Sequence, residues 1–522
     1  MSAPVRLMGT RSLLVELGDI DTVMAWHAHL TKNPLPGQLD VIAAARTILI
    51  KTATRRACEQ ALHALDSIDP EPLSAAQAKT VEIPTCYDGE DLAAVAEHYG
   101  ISTDALIEAH TSEEWFAAFG GFAPGFAYCT GGERWDTPRR DTPRSKVPAG
   151  SVALAGPFSA VYPQDSPGGW QLLGRTDTAM WDLSREVPHL LHPGDLVRYV
   201  AVREVAQAGP LGASSSTDMP PSRPIGRIEA TGLSTLYQDL GRTGYGDAGV
   251  SASGVLDRSA ARQGNRLVGN PATATVLENL LGGLTLQLST DVTMAITGAE
   301  VEATITVGEE TKAAPLRAPF VMPSGGTLTL GQPSAGVRCY VAARGGFAAP
   351  RVLGSTATDT MSRLGPAPLS PGDPLKVRTR SDLNASGEAE PSTLSERTTL
   401  RIVPGPRADW CVEGEVDHLC DQEWVIGPSS NRTALRLEAP EGGRPLIRED
   451  RGELASEGMV TGAIQVPPEG LPVLFLADHP VTGGYPVIAT VIAEDLDIAA
   501  QLAPGQTLRL SRVEDWQTGE SS

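Results

Sequence analysis

"PRRDTPRSKVPAGSVALAGPFSAVYPQDSPGGWQLLGRT", residues 138–176, alternates short apolar runs with closely spaced glycines and prolines. Runs of that length, bounded by turn residues, read as β-strands, because no three-or-four-residue apolar spacing persists long enough for a helix. Elements of this stretch return downstream in the same order. A Gly-Gly-aromatic triplet occurs at Gly168-Gly169-Trp170, Gly345-Gly346-Phe347 and Gly483-Gly484-Tyr485. Each is followed by a Pro-Gly turn entering a strand pattern: "PGDLVRYV" from Pro193, "PGDPLKV" from Pro371 and "PGQTLRL" from Pro504. Upstream, "VPAGSVALAG" (147–156) is matched by "MPSGGTLTLG" (322–331) and, more loosely, by "ASEGMVTGAI" (455–464). Units of roughly 100 residues or more are too long for a solenoid period, so the ordered similarity predicts three related β-barrel domains.

The flanking sequence divides the chain. In residues 1–80, "SLLVEL" and "TILIK" read as strands. "DTVMAWHAHL" and "TRRACEQALHALDSI" read as helices capped by Asp21 and Thr54, which makes a small α+β domain. Two short helical patterns follow, "EDLAAVAEHYG" and "STDALIEAH", with Gly100 as a C′ residue and Ser102 as an N-cap. Beyond Gly120 the pattern is largely β. "QAGPLGASSSTDMPPSRP" (207–224) and "RSDLNASGEAEPSTLSER" (380–397) read as exposed linkers. The predicted division is an α+β domain at 1–80, a barrel at 81–206, a linker at 207–224, a barrel at 225–380, a linker at 381–397 and a barrel at 398–515. The class is mainly β with a small α+β N-terminal domain.

A chain of 522 residues exceeds one core, and a formal charge of −21 disfavours nucleic acid and anionic membrane as partners. No apolar run approaches the roughly 20 residues that span a bilayer. The N-terminus carries charges where a signal peptide has its apolar core, which reads as a cytoplasmic protein. Six scattered cysteines form no CxxC pair; Cys411, His418 and Cys420 lack a second ligand pair, so no metal site is predicted. P-loop, post-strand GxGxxG, HExxH and GxSxG motifs are absent, as is a Met-Lys-Met biotin attachment site.

Three stretches remain for chemistry. The first is the opening one, with Arg139, Arg140, Arg144, Lys146 and Arg175 beside Gly168 and Gly169. Guanidinium forks and glycine N–H groups suit a small anion, held by proline-stiffened loops. Ion pairs with the chain's own carboxylates are the competing reading. The second, "GLSTLYQDLGRTGYGDAGVSASGVLDRSAARQGNRLVGN" (232–270), sets Gln238, Asp239 and Arg242 in a Gly-rich turn before a helix capped by Asp257; an ordinary capped helix is the alternative. The third, "FLADHPVTGGYPVIATVI" (475–492), delivers Asp478 and His479 to a loop with Gly483, Gly484 and Tyr485, a binding loop or a structural turn.

At these stretches the chain resembles a known pair. "GFAPGFAYCTGG" (121–132) with residues 138–176 is similar to the B subunit of 5-oxoprolinase, the Kip-inhibitor or allophanate hydrolase subunit 1 family. Residues 237–270, "GAIQVPPEGLPV" (462–473) and "TGGYP" (482–486) resemble the C subunit of 5-oxoprolinase, the Kip-antagonist or allophanate hydrolase subunit 2 family. Val481 stands where that family carries a threonine, and "SNRTALRLEAP" (430–440) lacks the family's Met and Gly after Ser-Asn-Arg. The resemblance implies cyclophilin-like β-barrels whose two halves form one site. It implies ATP-dependent hydrolysis of 5-oxoproline to glutamate with a separate protein like the 5-oxoprolinase A subunit, Mg²⁺ entering only with ATP. A lactam is a poor electrophile, and phosphorylating its oxygen makes a leaving group. In that setting Arg139, Arg144 and Arg175, with Gly168, Gly169, Gln238, Arg242, Gly483, Gly484 and Tyr485, are the expected substrate and ATP contacts. Tyr128, Asp239 and Asp478 are the expected orienting or proton-moving groups. The related carboxyltransferase of urea carboxylase implies an alternative, transfer from carboxybiotin on another chain; the Kip pair implies a kinase-regulating binding protein. The resemblance leaves room for a homo-oligomer.

Overall fold

The computed structural model describes residues 3–71, 79–205, 219–380, 382–395 and 397–513. Its class is the expected one, mainly β with a small α+β unit at the N-terminus. That unit is a four-stranded sheet in the spatial order Val5–Leu7, Ser12–Glu16, Thr47–Thr52, Gln38–Ala43. Alternation gives the sheet two apolar faces. Val15, Val41, Ile48 and Ile50 join the core formed with helices Ile20–Lys32 and Arg55–Leu65. Leu14, Ile42 and Leu49 pack instead on Met459, Phe475 and Val481 of the last barrel. Thr54 caps its helix as expected, but the first helix is capped by Asp19. Asp19 has the extended backbone a cap needs and accepts from Thr22 N–H, whereas Asp21 falls inside the first turn.

The next sheet has seven strands, in the order Gln171–Arg175, Ser151–Ala155, Phe158–Val161, Ala127–Thr130, Trp115–Gly120, Leu196–Ala201, Thr80–Thr85. The sheet after it has nine strands, built around the long Val292–Val307 and Thr327–Ala343, with helix Arg258–Leu267 packed on both. In the last part of the chain seven strands, the first Thr399–Pro404 and the last Thr507–Arg512, close into a barrel, while Glu457–Gly458 and Thr482–Gly483 pair separately.

The sequence repeat has a backbone counterpart. Gly194, Gly372 and Gly505 of the Pro-Gly turns have φ of +95°, +94° and +84°. Each turn opens the last strand of its sheet, Leu196–Ala201, Pro374–Arg378 and Thr507–Arg512. In the first and last sheets that strand pairs parallel with the opening strand; in the middle one the pairing is antiparallel. A further correspondence was not legible in sequence. Trp115 and Trp424 are fully buried, and each indole donates at 3.0 Å to the last turn of the preceding helix, at His110 and Leu419 carbonyls.

The linker readings need correction. Most of 207–224 lies outside the described residues, and Ser222–Thr231 is already a strand. Residues 382–395 have no regular structure but are tied to helix Arg258–Leu267. Asn384 N–H donates to Gly269 carbonyl, Gly387 N–H donates to Leu267 carbonyl, and Glu390 pairs with Arg266. The helix's free C-terminal carbonyls and its last-turn arginine account for that docking. Among the described residues no helix is long and apolar enough to cross a membrane.

Candidate functional site

The three motif stretches meet where the two halves of the chain touch. The loop between strands Trp115–Gly120 and Ala127–Thr130 crosses into the second half. Gly125 N–H donates to Ala248 carbonyl at 2.9 Å, and Phe122 N–H donates to Thr482 Oγ1 at 3.1 Å. The Tyr128 hydroxyl meets the side chains of Thr482 and Ser456. No side chain fits between the halves here: a Cβ on Gly120 would overlap Asp247 carbonyl, and one on Gly121 would lie 2.5 Å from Thr482 Oγ1. Thr482 is held by a short ladder in which it pairs with Gly458.

Aromatic rings line the first-half side. Tyr128 stacks on Phe119 with centroids 4.4 Å apart and meets Phe126 and Trp170 edge-on. Burial pushes the Tyr128 and Tyr162 hydroxyls above the ordinary tyrosine range. Two of the glycines expected to cradle an anion, Gly168 and Gly483, sit in close contacts within the chain. Gly168 lets its turn close on the Tyr162 hydroxyl, which the Trp170 backbone also bonds, and Gly169 carbonyl accepts from Arg140 N–H. A Cβ on Gly483 would lie 2.8 Å from Gln465 Nε2, Gly484 has open space up to Leu454 carbonyl at 3.5 Å, and Tyr485 is half exposed.

The arginines do not form one free cluster. Arg144 donates to Glu90 and Asp91, both at 2.9 Å, and Arg140 donates to Asp91 at 2.8 Å. The other Asp91 oxygen accepts from Leu172 N–H. Burial raises that carboxyl, but the bonds from Arg144 and Leu172 outweigh it and hold the pKa below the usual range. Arg175 is bound to Asp88 and Val205 carbonyl, and Lys146 to Asp165. Arg139 alone of the expected arginines faces the second half, 3.7 Å from exposed Glu453. Arg144→Ala is therefore expected to lower unfolding free energy by about 1–3 kcal/mol, measurable in urea, because Asp91 stays buried with one cation fewer.

Behind Thr482 lies a buried polar network. Asp478 is fully enclosed and accepts from Ser253 Oγ at 2.6 Å, Thr360 N and Oγ1 at 2.9 and 2.8 Å, and Arg432 Nε and Nη2 at 3.0 Å. Burial raises its carboxyl, and Arg432 more than offsets this. Arg432 also donates to Glu278 and to Gly254 carbonyl, and the Glu278 carboxylate accepts from Tyr340 hydroxyl. Asp478 is thus a saturated counter-ion here, with no lone oxygen left to carry a proton. Asp239, half-buried, is similarly engaged, accepting from Gly241 N, Ser355 Oγ and Thr356 N. Gln238 donates to Thr358 carbonyl, and Arg242 to Ala357 carbonyl. Arg432, Glu278 and Arg338, central to this network, escaped the sequence reading; the Ser-Asn-Arg run was the available signal for Arg432.

The network backs a cavity of about 860 Å³ lined by Tyr237, Thr358, Asp359, Thr360, Arg363 and Leu364, among others. Arg363 on its lining lies within electrostatic reach of Asp165 in the first half. Among the described residues Asp359 Oδ2 is buried without a partner, as are Nε and Nη1 of Arg242 behind Gly365. Burial, then repulsion from Asp478, pushes Asp359 up to about 6. A raised carboxyl contributes stability that is complete below its unfolded value and lost as pH rises through the folded one. Asp359→Asn should therefore gain roughly 2–3 kcal/mol over the parent at pH 8 and nothing at pH 4, by denaturant unfolding at both values. Among the described residues no group of three or more His, Cys, Asp or Glu is placed to hold a metal.

Residues 3–191 match the family described as carboxyltransferase domain, subdomain C and D, and residues 248–512 match carboxyltransferase domain, subdomain A and B. The C subunit of 5-oxoprolinase from Escherichia coli (strain K12) is 36% identical over 287 residues, covering 54% of this chain and 89% of that protein. The B subunit of 5-oxoprolinase from Escherichia coli O157:H7 is 45% identical over 143 residues, covering 27% of this chain and 63% of that protein. The crystal structure of TTHA0988 is 32% identical, with a TM-score of 0.84 over 96% of this chain and 99% of that one. The chain therefore belongs to the carboxyltransferase-domain family, a C–D half and an A–B half in one polypeptide, homologous to the B and C subunits of 5-oxoprolinase.

Proposed function

We propose that this chain is the fused B–C component of an ATP-dependent lactam hydrolase, converting 5-oxoproline to glutamate with a separate A-type partner protein. One observation carries the reading: the stretches that resemble the B and C subunits meet at the same place, Tyr128 against Thr482 and Ser456. A site shared by two proteins explains why they would fuse without loss. Of the three arginines expected to anchor phosphate, Arg144 and Arg175 are paired with Asp91, Glu90 and Asp88 while Arg139 lies 3.7 Å from exposed Glu453, which supports a reading with the triphosphate held by the partner. ATP and its Mg²⁺ are assigned to the partner, and this chain to binding and orienting the lactam.

The test is co-expression with the A-type partner, then ATP and 5-oxoproline, following glutamate and ADP. Tyr128→Phe should lower turnover about 10-fold or more with little change in unfolding midpoint, because only the hydroxyl facing Thr482 and Ser456 is lost while the Phe122–Thr482 bond stays. The family match supports a second reading, carboxyl transfer. Activity that depends on a biotinylated carrier, with no glutamate formed, would select it.

A further inference from the structure

The cavity beside the Asp478 network carries hydrogen-bonding atoms that the fold does not use. Its wall includes the consecutive residues Thr358, Asp359 and Thr360, with Tyr237 and Leu364 among its apolar groups. Buried side chains anchor that run. Arg242 donates to Ala357 carbonyl, Gln238 Nε2 donates to Thr358 carbonyl at 2.8 Å, and Thr360 donates to Asp478. Asp359 Oδ1 accepts from Met361 N–H at 3.0 Å and from Ser362 N–H at 2.9 Å. Asp478, which holds Thr360, begins the loop that ends at Thr482 against Tyr128, so wall and junction share one support.

These bonds use only part of each side chain. Among the described residues Asp359 Oδ2, Gln238 Oε1, and Arg242 Nε and Nη1 have no partner. All three residues are 2% exposed or less. The Ser362 hydroxyl approaches Asp359 without completing a hydrogen bond. Asp359 and Arg242 attract each other yet form no ion pair. The other acids facing Arg242 from the same network, Asp239 and Asp478, are already taken up by hydroxyl and N–H donors. Enclosed polar atoms left unbonded are costly, a carboxylate oxygen most of all, so a fold that keeps several together has a use for them. Gly365 marks where Arg242 stands behind the wall: a Cβ there would lie 3.3 Å from Arg242 Nη2.

We propose that this cavity is the lactam pocket, with Asp359 Oδ2 accepting the ring N–H and Arg242 donating to the ring carbonyl. The choice of ligand rests on the reading that 5-oxoproline is the substrate. A ring holds its amide cis, which sets N–H and C=O side by side on one edge. A carboxylate beside a guanidinium is the complement of that edge, and Gln238 Oε1 is a second acceptor next to it. Arg363 and Lys376, the cations of the lining, offset its acids Asp359 and Asp373 against the ligand's own carboxylate. The unpartnered atoms lie within the wall, so the ligand meets them as residues 361–364 yield. Arg363 in that loop holds a φ of +57°, a left-handed conformation that is costly for a residue with a side chain. Asp359 binds and orients the ring; no proton is assigned to it.

Two measurements test this. In the complex with the A-type partner, Asp359→Asn should raise KM for 5-oxoproline about 30-fold or more with kcat little changed. Its Oδ1 is still needed by the N–H groups of Met361 and Ser362, so the new NH2 faces the ring N–H, donor against donor. The unfolding midpoint at pH 8 should be no lower than the parent's, which separates lost binding from lost folding. An unchanged KM overturns the pocket. The second measurement is calorimetric titration of the intact chain alone. N-methyl-5-oxoproline keeps the carbonyl and the acid but has no N–H, and should bind at least about 10-fold more weakly than 5-oxoproline. Equal affinities, or no heat from either, overturn the pocket as well. No glutamate from the parent complex would sink the functional reading, whereas glutamate formed with an unchanged KM for Asp359→Asn would sink the pocket alone.

Discussion

Arg432→Met should lower the unfolding free energy by about 3–5 kcal/mol, or leave the chain unable to fold. The guanidinium serves two carboxylates at once, Asp478 and Glu278, both almost wholly buried. Removing it leaves Asp478 an enclosed negative charge without its cation and Glu278 with only Arg338, 3.9 Å away, a cost relieved by protonation or by water entering the interior. The loss should therefore be larger at pH 8 than at pH 5. Adding Asp478→Asn to Arg432→Met should recover part of the stability, since Glu278 keeps the buried Arg338 at 3.9 Å as a counter-ion. Urea unfolding at both pH values reads all of this. An Arg432→Met chain as stable as the parent would show that the network is dispensable and that Asp478 is free for another role.

Gly120→Ala should be nearly as damaging, for a steric reason. The added methyl would overlap the carbonyl oxygen of Asp247, a backbone atom that cannot rotate away. One half of the chain must move relative to the other. The expected cost is about 3 kcal/mol or more, together with loss of whatever activity the junction supports. Gly156→Ala is the control. That glycine has a positive φ, +52°, but open space around it, so alanine there should cost only about 1 kcal/mol. Equal unfolding midpoints for the two variants would mean that the halves are not held in register at Gly120.

Much of the fold was legible beforehand because its signals are local. Ser102, Thr54 and Asp257 each accept the N–H three residues on, as a capping side chain must. The Pro-Gly turns recur because each closing strand needs the same left-handed step. Asp21 misled because two acidic residues flank the same helix start, and only backbone geometry separates the cap from the first turn.

The candidate site was legible in outline. The stretches carrying Tyr128, Gln238, Asp239, Arg242 and Asp478 do converge, but their partners lie far along the chain. Arg144 pairs with Asp91 53 residues away, and Arg432 reaches Glu278 across 154. A count of 63 acidic against 42 basic residues says that arginines will find carboxylates; it cannot say which. By itself, then, the sequence determined the strands, caps, repeat and family, because period and turn chemistry act between near neighbours. Tertiary structure alone decided which charges are satisfied and which are left open, because desolvation and Coulomb attraction depend on distance in space and on what else is buried there.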